Sequence, residues 1–272
     1  MKPSAYSLIK ADDLAQASAQ LAENGWGSKP VAGCQSLGAM LNLRLAQPES
    51  LLDLDAFESL RAVTDTGDAI RFGAMTTHAA IEDKRVPDPS QGLMPFVARG
   101  IAYRAVRNRG TLGGSLCHAD PAADWISTMP LLGATLHVLG PSGQRDIAAR
   151  DFMTSAYETQ LVDGEILVAV SVPKRTTSMQ WSYRKLCRKT GELSHAMTSG
   201  IRDSSDGTER VVIGALDGAP FVVERAGLMT ELLQGAVREQ IVRQAAPELE
   251  LDRRHTLMEM LRLVALDMGK TR

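Results

Sequence analysis

The chain has 272 residues, 44% hydrophobic and 23% charged, with a formal net charge of −2. This ordinary globular composition suits one large domain or two to three smaller ones. It points to no nucleic-acid or anionic-membrane surface, and no apolar run reaches the roughly 18 residues of a membrane helix.

The N-terminus, "MKPSAYSLIKADD", meets acidic residues where a signal peptide would carry its apolar stretch, so a cytoplasmic location is expected. Residues 12–25 predict a helix: Asp12 caps it, Leu14, Ala17 and Leu21 share a face, and Gly25 stops it. "KPVAGC" reads as a short buried strand running into a turn, and "SLGAMLNLRLAQP" as a helix ended by Pro48. "SLLDL" and "AIRFGAM" read as strands, and "THAAIEDKRV" as a helix. "LMPFVARGIAYRAV" reads as one longer helix leading into "VRNRGTLGGSLCHADPAAD" at 106–124. "ADWISTMPLLGA" has a helical pattern despite its proline, and "ATLHVLGPSGQRDI" is a hairpin around a Pro-Ser-Gly turn. "EILVAVSVP" closes this region as a strand. Beyond about residue 176 the strands lengthen, in "QWSYRKLC", "HAMTSGIRD" and "RVVIGALDGAPFVVE". Helices are predicted over roughly 226–245 and 255–268. The fold class is α+β, with a boundary near residue 175.

Cys34, Cys117 and Cys187 form no CxxC pair and no set of four, so no structural zinc or iron–sulfur cluster is expected, and the thiols are read as reduced. The five histidines show no HExxH or HxH pattern, and no metal site is expected.

Two stretches combine glycines with hydrogen-bonding residues at apparent strand-to-helix transitions: "PVAGCQSLGAM" at 30–40 and the run at 106–124. Glycine admits positive φ and removes the side chain that would block a ligand. Successive backbone N–H groups in such turns form an anion-binding concavity, to which Ser36, Thr111 and Ser115 add hydroxyls. One pyrophosphate gripped by both turns explains this composition; two structural turns explain the glycines alone equally well. Gly33 and Gly38 match the start of a P-loop, but Ala39-Met40 stand where Lys-Ser/Thr is required, so NTP hydrolysis is not expected. GxGxxG appears nowhere. Asp120, before Pro121, reads as a cap for the next helix, and Asp124 as a carboxylate able to receive ribose or adenine hydrogen bonds. His118 reads as a surface histidine or a site residue.

"AGCQSLGAMLNLRLAQPESLLDL", "FGAMTTHAAIE" and "VRNRGTLGGSLCHADPAAD" resemble the FAD-binding medium subunit of molybdenum hydroxylases, the family of carbon monoxide dehydrogenase and of the flavin region of xanthine dehydrogenase. The resemblance spans nearly the whole chain and is weakest in the C-terminal part. It implies a PCMH-type, non-Rossmann fold, with residues 1–175 as an FAD-binding domain whose subdomains, about 1–55 and 56–175, clasp an extended FAD. Residues 176–272 would form the family's small α+β C-terminal flavoprotein domain. Pro30, Val31, Ala32, Gly33, Cys34, Gln35, Ser36 and Leu37 would be the first pyrophosphate loop. Thr111, Leu112, Gly113, Gly114 and Ser115 would be the second, on a turn outside the core. The resemblance also implies cofactor contacts from His118, Asp120 and Ile101, and places Asp124 near the adenosine end. Ile166 and Leu167 would fall where the family packs an aliphatic side chain on the isoalloxazine, and Lys185 where it carries a flavin-region lysine. Cys34 departs from the glycine usual in bacterial members.

The function so implied is that of an electron-transferring oxidoreductase subunit with non-covalent FAD. Its partners would be a large molybdopterin-binding subunit carrying the molybdenum cofactor and a small [2Fe–2S] subunit, in a heterotrimer or dimer of heterotrimers. The flavin carries the chemistry, so no catalytic residue is expected on this chain. A self-contained FAD-dependent reductase or oxidase is one rival, and a flavin-free scaffold is another. The complex's substrate is not written here, because it would bind on another polypeptide.

Overall fold

The computed structural model describes residues 2–269. Near the N-terminus, strand Ser50–Asp53 is flanked by Ser7–Ile9 and Ser28–Val31, both parallel to it. Parallel neighbours need crossovers, and helices Leu14–Asn24 and Leu37–Asn42 carry the chain back between these strands. The first helix is capped by Asp13 rather than Asp12: the Asp13 carboxylate accepts the Gln16 amide at 2.8 Å, and the Gln16 side chain accepts the Asp12 amide. Gly25, at φ +48, ends it. The second helix stops well before Pro48, because Arg44 turns to φ +58. The strand between them is not buried, since Lys29 and Pro30 are exposed.

The central sheet is antiparallel, in the order Val63–Asp65, Ala69–Gly73, Ile166–Pro173, Thr135–Gly140, Gly143–Ala148. Its middle strand is apolar on both faces because each face is covered. Ile166 and Val168 meet Ala17, Leu21 and Leu52 of the N-terminal part. After a bulge between Leu167 and Ala169, Val170 and Val172 face the main core with Leu167, Phe72 and Trp125. The expected helix over "LMPFVARGIAYRAV" is two, Leu93–Arg99 and Arg104–Arg107. Between them Ala102 takes φ +40. The Arg107 guanidinium donates to the Ile101 and Ala102 carbonyls at 2.9 and 3.1 Å and forks onto Glu82, so the break is satisfied from within.

The C-terminal sheet is an antiparallel meander of Met179–Leu186, Ala196–Asp203, Thr208–Gly214 and Phe221–Glu224. "RVVIGALDGAPFVVE" is thus a hairpin rather than one strand, breaking where Ala215 takes φ +55. The helix expected over 226–245 is likewise split, into Leu228–Glu231 and Gly235–Ala245, and the last helix begins at Leu251. Both long helices pack on one face of this sheet.

Helix Asp124–Leu132 is buried along its whole length between the two antiparallel sheets. Arg210, on the C-terminal sheet, donates to its final carbonyls, Leu131 at 2.7 Å and Pro130 at 3.3 Å, and pairs with Glu224 at 2.6 Å. Arg210→Met would keep bulk but strand these acceptors. It is expected to lower unfolding stability by about 1–3 kcal/mol, read as a lower urea midpoint at unchanged m-value.

Candidate functional site: a seam between two loops

Thr111 bridges to Thr77, and the segment before Thr77 takes the next amides: Leu112 donates to the Thr76 carbonyl and Gly113 to that of Ala74, each at 2.9 Å. The Thr111 hydroxyl then accepts the Gly114 amide at 3.0 Å, and its carbonyl accepts that of Ser115. Helix Leu112–His118 begins on this cap. The second glycine turn is therefore the first turn of a helix, with every amide from Leu112 to Ser115 engaged. Gly113 does not lie outside the core, as expected, but is buried: a Cβ there would stand 2.6 Å from that of Ala74.

The first loop has the opposite character. A Cβ on Gly33 would fall 2.0 Å from the Arg109 carbonyl oxygen, and one on Gly114 would fall 3.3 Å from the Ala32 methyl. The two loops are thus in direct contact, which glycine alone permits. Among the described residues, no acceptor takes the amides of Gly33, Cys34, Gln35, Ser36 or Leu37. Gln35 and Ser36 are exposed, and the Gln35 side chain closes the loop on the Gly33 carbonyl at 2.9 Å. Five unpaired donors in one turn, with the Thr111 and Ser115 hydroxyls across the seam, fit a diphosphate such as that of FAD. Beside the seam, the buried Thr76 hydroxyl has no partner among the described residues.

His78, buried behind the second loop, donates its backbone amide to the Gly110 carbonyl at 2.9 Å. Its Nδ1 accepts the Trp125 indole N–H at 3.0 Å. Burial first, then the nearby Arg107 charge, push its pKa down to about 4, so the ring is neutral and acts as a prop.

The remaining predicted residues separate into groups. Asp124 and Lys185 form a buried ion pair, with Nζ 3.0 Å from both carboxylate oxygens, and the Tyr183 hydroxyl donates to Asp124 at 2.6 Å. Asp124 cannot therefore serve one end of an extended cofactor while Lys185 serves the other; the fold brings them to one place. His118 packs its ring on Tyr157 at 5.4 Å. Asp120 does not cap the next helix: it accepts the Ala122 amide at 2.9 Å, and Ala123 is the N-cap. The Asp120 charge pushes the Tyr157 phenol up. Ile166 and Leu167, 2% and 3% exposed, lie in two different cores, because adjacent strand residues face opposite sides and both sides are covered. Ile101 is half-buried against the main core. Of the partners missed in the sequence, Tyr183 had a readable signal, since it stands two residues from Lys185 and so shares its strand face. Tyr157, exposed and at φ +63, had none.

Two outcomes follow from this geometry. Cys34 holds φ +60, a region that penalises side chains, so Cys34→Gly is expected to raise stability by up to about 1 kcal/mol, measured by urea unfolding. His78 binds its proton less readily folded than unfolded, so its contribution is complete above pH 6.5 and lost as pH falls toward 4. Between those limits the wild type should lose up to about 3 kcal/mol more than His78→Gln, read from unfolding curves at each pH.

Comparison with known proteins shows the family and the fold. Residues 4–175 match the family described as "FAD binding domain in molybdopterin dehydrogenase". The carbon monoxide dehydrogenase medium chain of Hydrogenophaga pseudoflava is 32% identical, over 90% of this chain and 86% of its own. The nicotine 6-hydroxylase medium subunit of Paenarthrobacter nicotinovorans is 34% identical, over 77% and 73%. Among solved structures, carbon monoxide dehydrogenase from H. pseudoflava superposes with a TM-score of 0.86 at 28% identity, covering 98% of both chains. Quinoline 2-oxidoreductase from Pseudomonas putida 86 gives 0.82 at 27% identity, covering 99% of both. The chain belongs to the family of FAD-binding domains of molybdopterin dehydrogenases, and is an oxidoreductase subunit with their α+β, PCMH-type fold.

Proposed function

We propose that this chain is the electron-transferring medium subunit of a cytoplasmic heterotrimer, or dimer of heterotrimers, and that it holds one FAD non-covalently. Its partners would be a large subunit with the molybdenum cofactor and a small one with [2Fe–2S] centres. The observation that carries the reading is the row of unpaired amides from Gly33 to Leu37 in a loop packed directly against the second. Relatives named as medium chains and medium subunits support the division of labour. So does cysteine chemistry: three scattered cysteines fall short of the four thiolates a [2Fe–2S] centre normally takes. No helix of the described residues is long and apolar enough to cross a membrane.

FAD, when bound, supplies the capacity to accept electrons from one centre and release them to another. The chain's own residues do the holding. Amides 33–37 take the diphosphate oxygens, joined by the Ser36, Thr111 and Ser115 hydroxyls. Asp124 and Lys185 set a fixed pair of opposite charges beside the cofactor. The FAD-binding part comprises residues 1–175 and the C-terminal part residues 176–272.

The purified chain is expected to take up about one FAD. Gly114→Val should weaken binding about tenfold or more, equivalent to about 1.4 kcal/mol, by pushing the Thr111 hydroxyl and Ala32 away from the seam. Gly113→Val should instead unfold the domain, because Ala74 leaves it no room. Substrate-dependent dye reduction should appear only when the large and small subunits are co-expressed. Full activity from the lone chain would establish a self-contained flavoenzyme, and a chain that takes up no added FAD would be a scaffold.

A further inference from the structure

Alternation along four strands of the central sheet gathers four polar side chains on one face. Ile70 and Phe72 flank Arg71, Val170 and Val172 flank Ser171, Leu136 and Val138 flank His137, and Ile147 follows Asp146. All seven apolar residues belong to the main core, so Arg71, Ser171, His137 and Asp146 share the opposite face. Arg71 stands opposite Ser171 in register, and His137 opposite Asp146. His137 Nδ1 lies 2.7 Å from Asp146 Oδ1, and its Nε2 lies 2.7 Å from Ser171 Oγ. A carboxylate only accepts, so Nδ1 carries the proton; Nε2 is then the acceptor, and the Ser171 hydroxyl donates to it. Carboxylate, imidazole and hydroxyl joined in this order activate a serine nucleophile, whatever their places in the chain.

The strand that carries Ser171 is paired on both sides, so its backbone amides are spent in the sheet and build no oxyanion hole. Arg71 supplies the missing donor. Directly opposed residues on one face stand about 4.5–5.5 Å apart at Cβ, and the Arg71 guanidinium has no partner among the described residues. Ser171 and Arg71 are half-buried, Asp146 is exposed, and the His137 side chain keeps 22% exposure. A small molecule therefore reaches the hydroxyl.

We propose that Ser171, His137 and Asp146 form a second site, independent of any flavin, that hydrolyses small esters with Arg71 facing the carbonyl oxygen. Ser171 Oγ attacks the ester carbonyl carbon, and its proton passes to His137 Nε2. Asp146 offsets the imidazolium so formed, and the Arg71 guanidinium offsets the charge on the carbonyl oxygen. The bond to the alcohol or phenol then breaks, and the leaving oxygen takes the proton from Nε2. Water, giving a proton to the same nitrogen, attacks the acyl carbon. The acid departs, and the proton returns to Ser171 Oγ.

The test uses the purified full-length chain with two probes, p-nitrophenyl acetate and a fluorophosphonate, and circular dichroism as the check on folding. Peptide mass mapping should find the phosphonyl group on Ser171, with fluoride released, and the acetate ester should turn over repeatedly. Ser171→Ala should abolish both reactions. His137→Gln should slow the labelling of Ser171 about a hundredfold, the lower end of what a positioned base contributes. Arg71→Gln should slow ester hydrolysis. A label found only on other residues, or turnover that persists in Ser171→Ala, overturns the proposal, and an acetylated Ser171 that water never clears overturns the hydrolysis. A hydrogen-bond chain that merely ties three strands would lower the melting temperature of His137→Gln and leave labelling unmoved, which also overturns it. Should the variants at 171 and 137 fail to fold, Asp146→Asn, on an exposed side chain, decides: slower labelling of Ser171 supports the site, and an unchanged rate overturns it. None of these outcomes touches the reading that this chain binds FAD.

Discussion

The Arg109 carbonyl occupies the space that a side chain at position 33 would need. This contact joins the half of the molecule built on a parallel sheet to the half built on an antiparallel one. It also divides the work between the two loops. The second loop spends its amides on its own cap and on residues 74–76, which makes it an anchor. The first loop leans on that anchor through Gly33 and leaves five amides unspent. Unpaired amides are tolerable where water reaches them, as at exposed Gln35 and Ser36, and they become useful when an anion replaces that water.

Behind the anchor stands a set of neutral and paired groups that keep it rigid. His78 holds the Gly110 carbonyl while its ring is tied to Trp125. Arg107 satisfies the broken helix at Ile101 and Ala102 while forking onto Glu82. Helix Asp124–Leu132 then carries this rigidity to the C-terminal sheet, which grips it at both ends: Tyr183 and Lys185 on Asp124, and Arg210 on the last carbonyls. The position of Lys185 relative to the seam is thus fixed by buried polar contacts, not by loop conformation.

Much of this was legible in the sequence, and the failures are instructive. Gly33 and the Thr111–Ser115 run marked two turns able to grip one pyrophosphate, although structural turns explained the glycines alone equally well; that the two loops touch became visible only in the fold. The α+β class and the change of pattern near residue 175 followed from strand length and spacing. The sequence could not show which glycine is packing and which is seam, since Gly113 and Gly114 are adjacent and chemically identical; Ala74 and Ala32, distant in sequence, distinguish them. The helix over residues 93–106 failed because Arg107 reaches back to satisfy the carbonyls of the break, a long-range choice that periodicity does not record. Ile166 and Leu167 were expected, by resemblance, where an aliphatic side chain packs on the isoalloxazine, yet strand alternation points them to opposite faces and both faces are covered by separate cores. The Asp124–Lys185 pair joins residues far apart in the chain and needed the fold to be seen.

The central claim is that one loop offers its amides to the cofactor while the other has already spent them. Amide hydrogen exchange, resolved by residue with and without FAD, tests this most directly. The account predicts fast exchange at Gly33–Leu37 in the free chain and marked protection when FAD is added, with Leu112–Ser115 protected in both states. Protection that appears at Leu112–Ser115 only on binding, or Gly33–Leu37 amides that FAD leaves unprotected, would contradict it.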